Sequence, residues 1–201
     1  MRLLLVRHGE TERNREGRVL GHGAQSLTDE GRRPAVALAR ALSRESITTI
    51  YSSPLKRAVE TAEVIGDKLG LPVQVAADLA EVDAGALDGL NSGEMRTGYP
   101  DFMALWDRDP GSAVMPGGES LAQVQQRAWR SVQSFLGEHP EANVVAVSHN
   151  FTIGTLVCKA LGLPLASFRH VRVDLGSISV GELREGRSRL VLLTDRCHLL
   201  D

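Results

Sequence analysis

Leu3-Leu4-Leu5-Val6 is an unbroken apolar run held between Arg2 and Arg7. A strand with one wet face would alternate polar and apolar residues, so this run predicts a strand buried on both faces of a parallel sheet. Asn143 to Ser148 predicts a second buried strand, and Ile47–Tyr51 and Val73–Val75 two shorter ones. Between these runs the apolar spacing changes to that of a helix. Val36, Leu38, Ala39 and Leu42 follow a capping Thr28 with Asp29 and Glu30 in the first turn. Val59, Ala62, Val64 and Ile65 follow Ser53-Pro54, a capping hydroxyl before a proline suited to the first helical position, and Gly70 and Pro72 end that helix. Leu121, Val124, Ala128, Val132, Phe135 and Leu136 follow the capping box of Ser120 and Gln123. Thr152 to Leu161 predicts a last helix, stopped by Gly162 and Pro164.

Two segments depart from this alternation. Ser177–Leu183 and Arg189–Thr194 flank Glu185-Gly186 and read as a hairpin-like pair. From Glu81 to Gly118 there are seven glycines, three prolines and weak periodicity, which predicts loops around one short helix near Asp101 to Trp106. Strands alternating with helices imply a layered α/β fold.

Composition narrows the function classes. In 201 residues, 42% are hydrophobic and 24% charged, as in a soluble domain with a sizeable core. Lys and Arg number 23 against 25 Asp and Glu, so nucleic acid is not the expected partner and any positive field must be local. Cys158 and Cys197 have neither disulfide-framework nor zinc-site spacing, and Cys158 sits among apolar residues as a small buried hydrophobe would. The opening apolar run is too short for a signal peptide, and no run reaches membrane-spanning length, so the cytoplasm is expected and a membrane partner is not.

The candidate chemistry lies where strands end. Arg7-His8-Gly9 follows the first buried strand and Ser148-His149-Asn150 another, and ligands in open α/β sheets gather beyond the carboxyl ends of strands. Arg57 falls about one turn into the helix that follows Ser53-Pro54, near its positive end. Two guanidinium forks and two imidazoles around one anion would make a phosphoryl-transfer pocket that needs no metal. Each residue has an ordinary alternative: a polar pair at a strand end for Arg7 and His8, a solvated helix charge for Arg57, a core imidazole for His149. His22, His139, His170 and His198 are assigned to structure or surface. Gly21-His22-Gly23 lacks the third glycine of a dinucleotide loop, and neither a Walker lysine nor an HExxH helix occurs.

These residues resemble a known family. Leu4-Leu5-Val6-Arg7-His8-Gly9-Glu10-Thr11 is similar to the opening motif of the histidine phosphatase superfamily, which includes cofactor-dependent phosphoglycerate mutases. The likeness runs on through Asn14, Gly17-Arg18, Gly21, Leu27-Thr28, Gly31, Ser52-Ser53-Pro54-Leu55-Lys56-Arg57-Ala58, Glu81, Gly85, Gly89, Pro116-Gly117-Gly118-Glu119-Ser120, Val147-Ser148-His149 and Cys197-His198-Leu199. It covers essentially the whole chain and comes nearest to short bacterial members such as metal-independent phosphoserine phosphatases.

The resemblance implies a three-layer α/β/α fold with a mostly parallel central sheet, phosphoglycerate mutase-like, in one domain over residues 1–201 with residues 82–118 covering the substrate. It implies His8 as the nucleophile that forms a phosphohistidine, with Arg7, Arg57 and His149 donating to the phosphoryl oxygens. Glu81 takes the acid/base role, with Asp78 and Asp83 near enough in sequence to compete. Asn14 and the backbone N–H of Gly21 match positions that line the phosphate, and Asn150, standing where glycine is common, could narrow the pocket or touch substrate. The expected partner is a small phosphorylated metabolite, with no cofactor and no metal; relatives that dimerise make a homodimer the expectation for assembly. Leu20, Ala24, Ala84 and Leu87-Asp88 depart from common family residues and bear on substrate identity. Two rivals stand beside phosphatase: a 2,3-bisphosphoglycerate-dependent mutase, which usually carries a longer insertion before the second histidine, and a non-catalytic module that binds phosphate esters.

Overall fold

The computed structural model describes residues 1–199. Six strands form one sheet: β1 (Arg2–Arg7), β2 (Ile47–Ser52), β3 (Val73–Val75), β4 (Asn143–Ser148), β5 (Ile178–Arg184) and β6 (Arg187–Asp195), in the order β3-β2-β4-β1-β5-β6. β3, β2, β4 and β1 run parallel, and β5 is antiparallel to both of its neighbours. Because the chain leaves β1 for β2 and returns to place β4 between them, three strand ends that are distant in sequence become neighbours.

The unbroken apolar runs serve two cores. Leu4 and Val6 of β1 pack with Val145 and Val147 of β4 against α2 (Asp29–Leu42) and α3 (Lys56–Leu69). Leu3 and Leu5 face the other way, with Val144 and Ala146, toward α6 (Leu121–Glu138) and α7 (Asn150–Ala160). Alternate residues of one strand therefore fill opposite layers, and the result is the three-layer α/β/α arrangement. Thr28 and Ser120 cap α2 and α6 through their side chains, as their sequences predict. Cys158 is buried beside Leu121 and Phe168. Among the described residues, no helix is long and apolar enough to cross a membrane.

Three local expectations change. The helix after Ser53-Pro54 starts later, with Leu55 as N-cap and no side-chain cap; the Ser53 hydroxyl instead takes the Leu55 N–H at 3.2 Å in a tight turn. The last helix starts earlier, at Asn150. Residues 82–118 hold a helix beyond the one expected: α4 (Ser92–Gly98) precedes α5 (Pro100–Arg108), which spans the expected Asp101–Trp106, besides a single turn at Gly85–Leu87. Neither is long enough to show a clear period: α4 depends on a capping box of Asn91 and Glu94, and α5 starts at a proline.

Candidate active site

The sheet register brings the chemistry together. Arg7 pairs with Ser148 and Ser52 with Val147, so Arg7-His8, Ser53 and Ser148-His149 emerge side by side at one edge of the parallel strands. His8 N–H donates to the Ser148 carbonyl at 3.1 Å, and Ser53 N–H to that of Val147 at 2.9 Å, which continues the ladder one residue past each strand. Gly9 is required at this turn, because a Cβ there would lie 2.1 Å from the Gly31 carbonyl oxygen.

The His8 ring is almost fully buried, and its Nδ1 donates to the Gly9 carbonyl at 2.7 Å. A carbonyl only accepts, so the proton is on Nδ1. Burial and the charges of Arg57 and Arg7 push the His8 pKa well below its ordinary value, so the ring is neutral and Nε2 carries a lone pair. Arg57 Nε donates to that lone pair at 3.2 Å.

Arg57 is completely buried, and its remaining donors reach the carbonyls of Gly21 at 2.8 Å, Gly23 at 3.3 Å and Leu20 at 3.4 Å. Desolvation lowers its pKa to about 10, so it stays cationic at neutral pH. Arg7 donates to the Val173 carbonyl at 2.6 Å, while its Nε is enclosed without a partner; burial lowers its pKa as well. Among the described residues neither arginine forms an ion pair. Glu81 acts on both guanidinium groups, Asp174 on Arg7 and Asp88 on Arg57, but only from beyond ion-pair distance, so an anion seated between the two cations would compensate their charge at contact.

His149 lies opposite, completely buried, with its ring centroid 5.0 Å from that of His8 and the planes inclined by 56°. Its Nε2 meets the Ser53 hydroxyl at 2.7 Å. Burial first, then Arg57, His8 and Arg7, push its pKa well below the ordinary value, so both imidazoles are neutral.

Glu81 is buried at the start of α7. One carboxylate oxygen accepts the N–H groups of Val82 at 2.9 Å and Thr152 at 3.2 Å, and the other accepts that of Phe151 at 3.1 Å. Its sequence competitors are engaged elsewhere: Asp78 faces Arg130 at 3.3 Å on the surface, and Asp83 accepts the Gly85 N–H at 2.9 Å.

The lining residues divide. The side-chain carbonyl of Asn14 caps its own short helix, α1 (Glu12–Arg15), through Thr11, at 3.1 Å from the Thr11 N–H, which leaves its NH2 as the group able to donate outward. Gly21 reaches the site through the carbonyl held by Arg57; its N–H lies 3.3 Å from Asp88, which also accepts the Gly23 N–H and pairs with Arg13 at 2.7 Å. Asn150 is half-buried, next to His149 at the head of α7. Among the described residues, no group of three or more His, Cys, Asp or Glu side chains is placed to hold a metal ion.

Several supporting groups escape sequence reasoning. Arg127 donates to the carbonyls of Asp78 at 2.8 Å, Ala80 at 2.7 Å and Glu81 at 2.8 Å, and pairs with Glu119 at 2.9 Å. His22, assigned to structure or surface, donates to the same Glu81 carbonyl at 2.8 Å. The only sequence signal for Arg127 is a charged residue next to the apolar stripe of α6, which is ordinary on any amphipathic helix.

Known proteins are similar to this chain along nearly its full length. Phosphoserine phosphatase 1 of Hydrogenobacter thermophilus is 36% identical over 199 residues, covering 99% of this chain and 94% of that protein. The structure of Bacillus stearothermophilus YhfR superposes with a TM-score of 0.93 at 30% identity, covering 98% of each chain. Mycobacterial glucosyl-3-phosphoglycerate phosphatase complexed with VO3 superposes at 0.89 with 30% identity, covering 97% of this chain and 99% of that one. Residues 3–196 match the sequence model of the histidine phosphatase superfamily (branch 1), and the chain belongs to that family.

Proposed function

We propose that this protein hydrolyses small phosphomonoesters through a phosphohistidine on His8, with Glu81 as general acid and base. The observation that carries the reading is a neutral imidazole, its Nδ1 proton held by Gly9, beside two guanidinium groups that have no carboxylate at ion-pair distance among the described residues. Phosphate oxygens supply the missing negative charge, and Arg57 turns its Nε donor from His8 to the anion as substrate enters.

In the first transfer Nε2 of His8 forms a bond to phosphorus, the ester P–O bond breaks, and Glu81 gives the leaving oxygen a proton. Positive charge that develops on the ring is met by the Gly9 carbonyl through the Nδ1 proton. In the second transfer Glu81 takes a proton from water, the water oxygen bonds to phosphorus, and the P–N bond returns its electrons to Nε2. Arg7, Arg57 and His149 hold the equatorial oxygens throughout. The named relatives act on phosphoserine and on a glucosyl-3-phosphoglycerate, which supports a small phosphorylated metabolite as the substrate class.

Rapid-quench labelling tests the reading. Wild-type protein should form an acid-labile, base-stable phosphoenzyme and release p-nitrophenol from p-nitrophenyl phosphate in the presence of EDTA; His8→Ala should do neither. Near-normal turnover by His8→Ala would overturn the mechanism, and binding of phosphate esters without wild-type turnover would make the protein a binding module. Assay of phosphoglycerate with and without 2,3-bisphosphoglycerate separates phosphatase from mutase.

A further inference from the structure

The Ser53 hydroxyl has two neighbours: the Leu55 N–H at 3.2 Å, which donates to it, and His149 Nε2 at 2.7 Å. A serine hydroxyl has one proton to give and two lone pairs to receive. If His149 carried its proton on Nε2, the Ser53 oxygen would accept twice and its own buried proton would have nowhere to go. Nδ1 of His149, which is enclosed and has no protein partner, would then be a bare lone pair as well. If the hydroxyl donates to Nε2, Ser53 is fully satisfied and the ring proton moves to Nδ1. The first arrangement leaves two polar groups unmet and the second leaves one, a donor.

We propose that Ser53 is a positioning residue that fixes His149 as the Nδ1–H tautomer, so that the unpartnered ring face offers a proton, not a lone pair, to the transferring phosphoryl group. The proposal rests on the reading above that His149 faces that group. It also gives the Ser53-Pro54 turn a purpose other than capping: the Leu55 amide occupies one lone pair and turns the hydroxyl proton toward the imidazole. The two histidines then carry their protons on the same ring atom for opposite ends. In His8 the Nδ1 proton is tied to a carbonyl so that Nε2 can attack; in His149 the Nε2 lone pair is tied to a hydroxyl so that Nδ1 can donate.

Long-range proton–nitrogen correlation spectra of protein labelled with 15N-histidine read the tautomer directly, with vanadate as the probe of the phosphoryl site. The wild-type His149 signals should show a protonated Nδ1 and a bare Nε2, and vanadate should shift Nδ1. Ser53→Ala should move His149 partly or wholly to the Nε2–H pattern and lower kcat by about 10²-fold, the low end of what one lost donor to a transition-state oxyanion costs, with KM changed by less than about threefold. Ser53→Thr, which keeps the hydroxyl, should restore the Nδ1–H pattern and most of the kcat. A wild-type spectrum with the proton on Nε2, or an unchanged pattern in Ser53→Ala, overturns the proposal with the phosphoryl-transfer reading intact. If vanadate leaves both His8 and His149 undisturbed, the phosphoryl-transfer reading itself falls, and this proposal falls with it.

Discussion

The proposed phosphate cradle and residues 82–118, its proposed cover, are held by different forces. Arg57 and His149 are completely buried, His8 nearly so, and polar contacts to backbone, to one another or to the Ser53 hydroxyl fix each of the three. In residues 82–118 the helices α4 and α5 depend on local caps and half-buried apolar side chains, Met95, Tyr99, Phe102 and Trp106, that pack on Val82, Leu87 and Met115. The two regions meet at Phe151, whose ring lies 5.9 Å from that of Trp106 and whose N–H holds Glu81. A network of directional bonds tolerates almost no change, whereas an apolar layer can be repacked. Reaction chemistry should therefore reside in the cradle, and choice of substrate in the cover.

Variants can break this division, and the largest effect is expected at Glu81. Glu81→Gln removes proton transfer and should slow phosphoryl transfer from an alkyl phosphate to His8 by on the order of 10³-fold, with a much smaller loss on p-nitrophenyl phosphate, whose leaving group needs no proton. Equal losses on the two esters in single-turnover assays of that first step would remove the acid role. Next, Arg57→Lys keeps the charge but loses the planar fork and the Nε contact to His8; kcat/KM should fall by about 10²-fold. A loss confined to KM would mean that the fork serves only ground-state binding.

Stability should also separate the regions, because residues 82–118 contain no histidine. Folded His8 and His149 have depressed pKa values, whereas their unfolded forms take up protons near pH 6.5. Below about pH 6.5 the unfolded chain binds more protons, so unfolding free energy falls with falling pH by up to about 1.4 kcal/mol per unit for each histidine; above it these groups add no slope. Urea titrations between about pH 5 and 7 should show this slope reduced in His149→Asn. The smallest effect belongs to the cover: Trp106→Ala should change KM across a panel of metabolite phosphates by about threefold to tenfold and leave kcat on p-nitrophenyl phosphate almost unaltered. A large kcat loss on that ester would show that the cover takes part in the chemistry.

Much of the cradle was legible in the sequence because it is mounted on strand ends. An apolar run identifies a buried strand, and the residue after it is aimed by the sheet; Arg7, His8 and His149 follow from that alone. Arg57 rested on weaker ground, its place early in the helix after Ser53-Pro54, since one arginine there is more often a solvated charge. The groups that orient Glu81 had no local mark: the N–H groups of Val82, Phe151 and Thr152 belong to the backbone, and Arg127 acts on carbonyls. The same limit hid α4, whose Met95 packs on a cluster outside its own period, while α5 lies where one short helix was expected. Ser53-Pro54 misled for a physical reason. Its hydroxyl is claimed by a histidine 96 positions away, and a pattern of neighbours along the chain carries no trace of that.

His149 is the N-cap of α7, and the carboxylate of Glu81 is bound by the N–H groups of the second and third residues of the same helix. In the proposed mechanism the proton source and one of the groups that grip the phosphoryl are thus bolted to a single rod, while the nucleophile follows the neighbouring strand. Sliding or tilting that rod would move acid and gripping imidazole in step, changing their reach to His8 and leaving their mutual spacing intact. Catalytic alignment in that mechanism is one mechanical coordinate, set by how α7 seats on the sheet.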